Sequence, residues 1–357
     1  MALEGKIKEL ITAATSAPSG ENCQPWQVSI EGSDLLLFNV PDRDDSLYNF
    51  RQRGSFVAHG AFLENLAIAA RALGFSTAIQ LFPDVENENF VAKIRLETTT
   101  PVDEPLYTAL LARSTNRKPY RNEALTEEER SALTASARSN HSCRLALIEK
   151  KEDIDAWASA ASANERIMFE HRGLHHFFFS HINWTDAEEE ERRRGFYVKT
   201  LELKPPQVIG MKIARRWGIA SFLNRLGFSR QVAADNIKSN SAAAAVAGVV
   251  IKGERPEDFV EAGRMTERVW LTATHLGLSV QPITGALFLA QHVREGDAAD
   301  FSTAHATLLR EVERTAESLC TAVSSEHVAM MFRIGHADPP SGRSSRLHLT
   351  DVVSSNS

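Results

Sequence analysis

Apolar residues recur at steps of three and four along residues 60–74 and again along 263–277, which predicts two long helices with a buried face, each stopped by a glycine C-cap. The two stretches align without a gap: Gly60 with Gly263, Glu64 with Glu267, Ala70 with Ala273, Leu73 with Leu276 and Gly74 with Gly277. An extended segment follows each. A shorter amphipathic helix precedes Ala17, and strands are expected at Asp34–Val40, Val91–Leu96, Arg144–Ile148 and Val246–Ile251. The last strand follows the alanine tract Ser241–Ala245, and its unbroken apolar run predicts burial on both faces. Thr126 with Glu129 is a capping-box pattern that starts another helix.

The repeated pattern predicts an α+β chain of two internal repeats, residues 1–105 and 106–357, forming a pseudo-dimer of mixed sheets packed by helices. Between the strands at 144–148 and 246–251 lies an extra stretch of helical pattern, a lid-like insertion at about 155–235. Its Phe177, Phe178, Phe179, Trp184, Phe196, Tyr197, Trp217 and Phe222 exceed what a solvated linker carries, so at least part of it is expected to pack on the body. Glu188–Arg194 sets opposite charges four residues apart and reads as a solvated helix face. His171, His175, His176 and His181 lack an acidic residue to complete a site, so they read as packing and surface residues, with no metal expected.

The chain has 357 residues, 43% hydrophobic and 24% charged, enough for a large core. A net charge of −6 gives no overall footprint for nucleic acid or an anionic membrane, so neither is expected as a partner and any basic site must be local. Cys23, Cys143 and Cys320 are too widely separated for a disulfide framework or a zinc spacing, which fits a reducing, cytoplasmic location. The first residues lack the basic-then-apolar layout of a signal peptide. No apolar run approaches the roughly 20 residues of a membrane span.

Turn chemistry accounts for Pro18, Ser19 and Gly20 but gives no reason for Asn22, Gln24 and Trp26 at fixed offsets. The segment Ala17–Trp26, APSGENCQPW, closely resembles the APSxxNxQPW signature of FMN-dependent nitroreductases. In that family the stretch caps a helix and offers small polar groups to the flavin, implying a cofactor-binding role for Pro18, Ser19, Gly20 and Asn22. Leu110–Tyr120 resembles the family's R-x-S-x-R/K motif through Arg113, Thr115 and Arg117, with Thr115 where serine is usual. By that resemblance Arg113 would hold phosphate and Arg117 would lie near flavin N1 and C2=O. Gln281–Gly285 is similar to the P-x-E-G turn, so the backbone of Thr284 and Gly285, after Pro282, would face N5; Thr284 replaces the usual glutamate. Phe332–Leu347 resembles the closing strand and R-x-R segment, with Arg343 and Arg346 one residue farther apart than in the simplest pattern.

The motifs are divided between the halves, as they are between the subunits of the homodimeric family, so the chain resembles the fused, single-site Acg-like branch of the nitroreductase superfamily. The resemblance implies an FMN-dependent oxidoreductase taking electrons from NAD(P)H to a small nitroaromatic or quinone-like acceptor. It implies a monomer (pseudo-dimer) or weak homodimer. The alternative it carries is a flavin-binding or sequestering protein with little turnover. No side-chain acid or base is required, and a thiol role for Cys23 is not expected, because no histidine is near it in sequence. Neither GxGxxG nor GxxxxGK[ST] is present.

Overall fold

The computed structural model describes residues 2–138 and 142–354. Helix α1 (Ala2–Thr15) leads to β1 (Trp26–Glu31), β2 (Asp34–Asn39), the long helix α2 (Arg53–Leu73), β3 (Phe75–Leu81) and β4 (Phe90–Thr98). These strands form one antiparallel sheet in the order β1-β2-β4-β3. Helices α3 (Pro105–Ala112) and α4 (Glu127–Ala137) connect to β5 (Cys143–Ile148). The insertion is α5 (Lys151–Ala161), α6 (Ala163–Glu170), α7 (Arg172–Ser180), β6 (Ile182–Asn183), α8 (Asp186–Arg192), β7 (Phe196–Tyr197), α9 (Pro205–Ala214), α10 (Trp217–Arg225) and α11 (Phe228–Asn240). Then come β8 (Ala245–Ile251), α12 (Pro256–His275), β9 (Ser279–Pro282), α13 (Gly285–Arg294), α14 (Thr303–Leu319), β10 (His327–Gly335) and α15 (Leu349–Val352). The second sheet is antiparallel, in the order β5-β8-β10-β9.

Strand for strand the two sheets are connected alike, with α2 and α12 at the same point in each path. Among the described residues, parallel pairing in these sheets is confined to bridges at two edges, Thr115 with Val280 and Val28 with Val353. The second bridge brings Val353 to the edge of the first sheet, where Ser354 N–H donates to Val28 O at 2.9 Å. β8 is buried at every residue, as its apolar run predicts, and Thr126 and Glu129 form the expected capping box on α4.

α2 and α12 pack backbone to backbone. A Cβ on Gly60 would lie 1.9 Å from the Val260 carbonyl oxygen, and one on Gly263 would lie 1.9 Å from the Val57 carbonyl oxygen. Both contacts join positions related by the same sequence offset, so the crossing has the self-complementary form of a two-fold interface. The equivalence ends at the charges. Glu64 is buried and ion-paired with Arg264 (3.3 Å) and Arg268 of the other helix. Ala61 and Asn65 stand where α12 has these arginines, so α2 offers Glu267 no cation. One side of the helix pair is closed by guanidinium groups, and the other is left open.

Candidate functional site

The open side is a cavity of about 440 Å³. Its floor is Val57, Ala58 and Ala61 of α2 with Gly263, Thr266 and Trp270 of α12. Pro18–Glu21 form one wall and Gln281–Gly285 another. The insertion forms the roof through apolar side chains that include Met168, Phe169, Phe177, Phe178 and Met211. A second cavity of about 380 Å³ shares Pro18, Ser19, Glu21, Thr115, Arg117 and Phe196 with the first and adds Asn22, Arg113, Arg343 and Arg346. All twelve site residues expected from the sequence therefore line one of two neighbouring spaces.

The wall after α1 is held in an uncommon backbone conformation. Glu21, Asn22 and Gln24 have φ of 45°, 57° and 53°, in the left-handed region that non-glycine residues seldom occupy. Side-chain contacts hold it there. Ser19 Oγ accepts from Gln24 N–H at 3.0 Å, and Gln24 donates to Arg193 O at 2.7 Å while accepting from Leu347 N–H at 2.9 Å. Asn22 donates to Ser345 O at 3.0 Å and accepts from Arg346 at 2.8 Å. Trp26 is fully buried against His59 and Phe62. Asn22 and Gln24 thus brace the C-terminal tail, a role their spacing alone did not disclose. Glu189 corrects another expectation: it is buried rather than solvated, accepting from Ser345 N–H at 2.5 Å and Asn183 at 2.7 Å.

The second cavity is basic. Arg346 donates to Thr15 O, Ser16 O and Ala17 O at 3.1–3.2 Å, at the C-terminal end of α1. Arg343 donates to Leu111 O (2.9 Å) and Arg113 O (2.6 Å). Arg113 is buried over the Trp270 ring at 4.7 Å, with its Nε 3.1 Å from Glu267 and a bond to Ser16 O at 2.5 Å. Arg117 donates to Thr200 O at 3.1 Å. Burial and then the neighbouring Arg113 and Arg343 charges push Arg346 down to about 9, and burial with Arg333 pushes Arg117 down to about 10. Crowded cations at this depth are a site that an anion relieves.

The first cavity holds acids that sequence reasoning missed. Glu21 is pushed up to about 8 by burial and by Asp44, against the pull of Arg117, and Glu165 up to about 7 by burial. Tyr48 is raised by burial and then by both glutamates. Glu21 was visible inside the motif; Glu165 and Tyr48 reach the cavity only through long-range packing. Asn164 Oδ1, Glu165 Oε2 and Thr266 Oγ1 are buried without a hydrogen-bond partner. Three cavity-lining residues thus carry polar atoms available to a ligand. Thr284 precedes the first turn of α13, whose leading N–H groups lack intrahelical partners. Cys23 is buried beside Asp44, and burial raises its thiol well above its ordinary range, which keeps it protonated. His171 Nδ1 accepts from Leu174 N–H at the start of α7, and His175 bonds Ala214 O at 2.9 Å.

No protein-family model matches the chain. An uncharacterised protein of Mycobacterium tuberculosis is 28% identical over 333 residues, which is 92% of this chain and 45% of that protein. A protein of the same organism named "Putative NAD(P)H nitroreductase acg" is 29% identical over 117 residues, 32% of this chain and 35% of its own length. The chain thus matches less than half the length of these relatives. Among solved structures, a nitroreductase with bound FMN from Desulfitobacterium hafniense aligns over 72% of this chain and all of its own, at 10% identity and a TM-score of 0.38. The chain is α+β, and about a third of it is similar to a protein named as a nitroreductase.

Proposed function

We propose that this nitroreductase-like chain is an FMN-dependent oxidoreductase, with NAD(P)H as electron donor and a small nitroaromatic or quinone-like molecule as acceptor. The observation that carries the reading is the meeting of Pro18–Asn22, Arg113–Arg117, Pro282–Gly285 and Arg343–Arg346 around an apolar cavity with a basic neighbour. FMN has the same two parts, a flat apolar ring system and a phosphate bearing up to about two negative charges. The unpartnered oxygens of Asn164, Glu165 and Thr266 fit a polar-edged ring. The relative named as a nitroreductase supports the same class.

In this reading Arg343 and Arg346, with Arg113 behind them, neutralise the phosphate, and Thr115 adds a hydroxyl. Arg117 stabilises negative charge at the pyrimidine edge of the ring, and an N–H at Thr284 or Gly285 donates to N5. Pro18, Ser19 and Gly20 close the other side, with Asn22 tying that wall to the tail. When bound, FMN supplies the hydride chemistry. The chain supplies position, charge and the exclusion of water by the apolar roof, with no side-chain acid or base required.

The matching connectivity of the two sheets supports a duplicated unit, residues 1–105 and 106–357, whose insertion at about 155–235 acts as a lid. A monomer then supplies both sides of one site, because Ala61 leaves room where Arg264 fills the corresponding side. Three buried cysteines without a disulfide support a reducing compartment such as the cytoplasm. The test is acid release of flavin from the purified monomer, followed by assays of NADH and NADPH with nitroaromatic and quinone acceptors and dithionite as a small control reductant. One FMN per chain and nicotinamide-dependent turnover are expected. Two flavins per chain, FAD, or no uptake on reconstitution would sink the assignment.

A further inference from the structure

The overall charge conceals a local feature on the outer side of the insertion. From Leu203 to Ala234 the sequence holds six basic residues, Lys204, Lys212, Arg215, Arg216, Arg225 and Arg230, and no acidic one, in a chain of net charge −6. All six are exposed, and among the described residues none of them forms an ion pair.

Among the described residues the same stretch bears half of the exposed large apolar side chains: Ile209 (62%), Ile213 (51%), Phe222 (60%) and Leu226 (72%). Phe222 is the one aromatic of the insertion that stands well out into solvent, whereas Phe179 and Tyr197 are buried. Two helices repeat one arrangement. In α9, Ile209, Lys212 and Ile213 stand at i, i+3 and i+4; Phe222 and Arg225 at the end of α10, with Leu226 as its C-cap, have the same spacing. That spacing puts each apolar pair and its cation on one helix face.

We propose that the α9–α10 hairpin docks on an anionic lipid surface. Apolar side chains in this pattern insert at the headgroup boundary while the adjacent lysine and arginine reach phosphate oxygens. A protein partner fits less well, since the buried centres of protein interfaces are depleted of lysine, and here Lys212 stands between the two isoleucines. Met211 on α9 lines the first cavity, so the docking surface and the cavity share a wall. The proposal does not depend on the flavin reading, because lipid binding needs no cofactor.

The test is sedimentation of the full chain with vesicles of phosphatidylcholine alone or mixed with phosphatidylglycerol, over a range of salt. Binding to the mixed vesicles only, weakened by salt, is expected. Lys212→Glu with Arg225→Glu should lower the partition coefficient about thirtyfold or more, at roughly fivefold for each cation removed near the surface. Ile213→Ser with Phe222→Ser should lower it with charge unchanged. Circular dichroism and the thermal midpoint check that both doubles stay folded. No binding to mixed vesicles overturns the proposal, as does binding that both folded doubles retain. Salt-sensitive retention on polyglutamate without vesicle binding also overturns it, in favour of an acidic protein partner.

Discussion

Arg113 and Glu267 form a buried ion pair, Nε to Oε1 3.1 Å, in which neither side chain is more than 3% exposed. Burial holds Glu267 up at about 7 against the pull of Arg113, so each group depends on the other. Replacing Arg113 with methionine strands a buried carboxylate and is expected to destabilise the fold by about 3–5 kcal/mol. Among the described residues Arg117 has no carboxylate at ion-pair distance, so Arg117→Gln should keep the thermal midpoint while weakening FMN retention by about tenfold or more. Thermal unfolding and flavin titration of both variants separate the two roles. Equal loss of stability in both variants would remove the distinction.

Ala61 is the small residue that leaves the cavity open where Arg264 fills the corresponding position. Ala61→Arg copies that arginine onto α2 beside Glu267. A folded monomer that no longer retains FMN is expected, read from the absorbance of the purified protein and its sedimentation. Full flavin occupancy in this variant would show that the cavity floor is not where the ring lies.

Gly60→Ala introduces a methyl group 1.9 Å from the Val260 carbonyl oxygen, a backbone atom that cannot swing away. The two helices must separate, at a cost of about 3 kcal/mol or more. Gly263→Ala should cost a similar amount, because it meets Val57 in the same way. Urea midpoints of the single variants check this, and a neutral result at either glycine would contradict the close helix crossing.

Glu21 and Glu165 titrate at about 8 and about 7 in the folded chain, above the ordinary glutamate value of 4.5. Between those values the folded chain holds protons that the unfolded chain has released. This contribution is therefore fully present below the unfolded value and is lost as pH rises through the folded ones. In the flavin-free protein, Glu21→Gln and Glu165→Gln should each gain stability relative to the parent at about pH 8.5 and much less at about pH 5. Urea unfolding at the two pH values is the measurement. An equal gain at both would mean that the carboxyl groups are not held protonated.

Local pattern in the sequence was enough to specify the two long helices, the capping box at Thr126 and the strands around residues 34–40, 91–96, 144–148 and 246–251. These follow from periodicity and from residue types fixed by turn and cap geometry, which act over a few positions. The motif residues that meet at the cavities were marked instead by their resemblance to nitroreductase signatures. Tertiary structure alone decided what those residues touch. Asn22 and Gln24 brace a tail more than 300 residues away, Glu189 is buried beneath Ser345, and Glu165 reaches the cavity from a helix in the insertion. The gapless alignment of residues 60–74 with 263–277 already held the sequence difference at Ala61 and Arg264. Its consequence, an open side and a closed side, required knowing that the two helices cross at Gly60 and Gly263. A buried charge is governed by the partners that packing brings to it, and those partners come from distant parts of the chain.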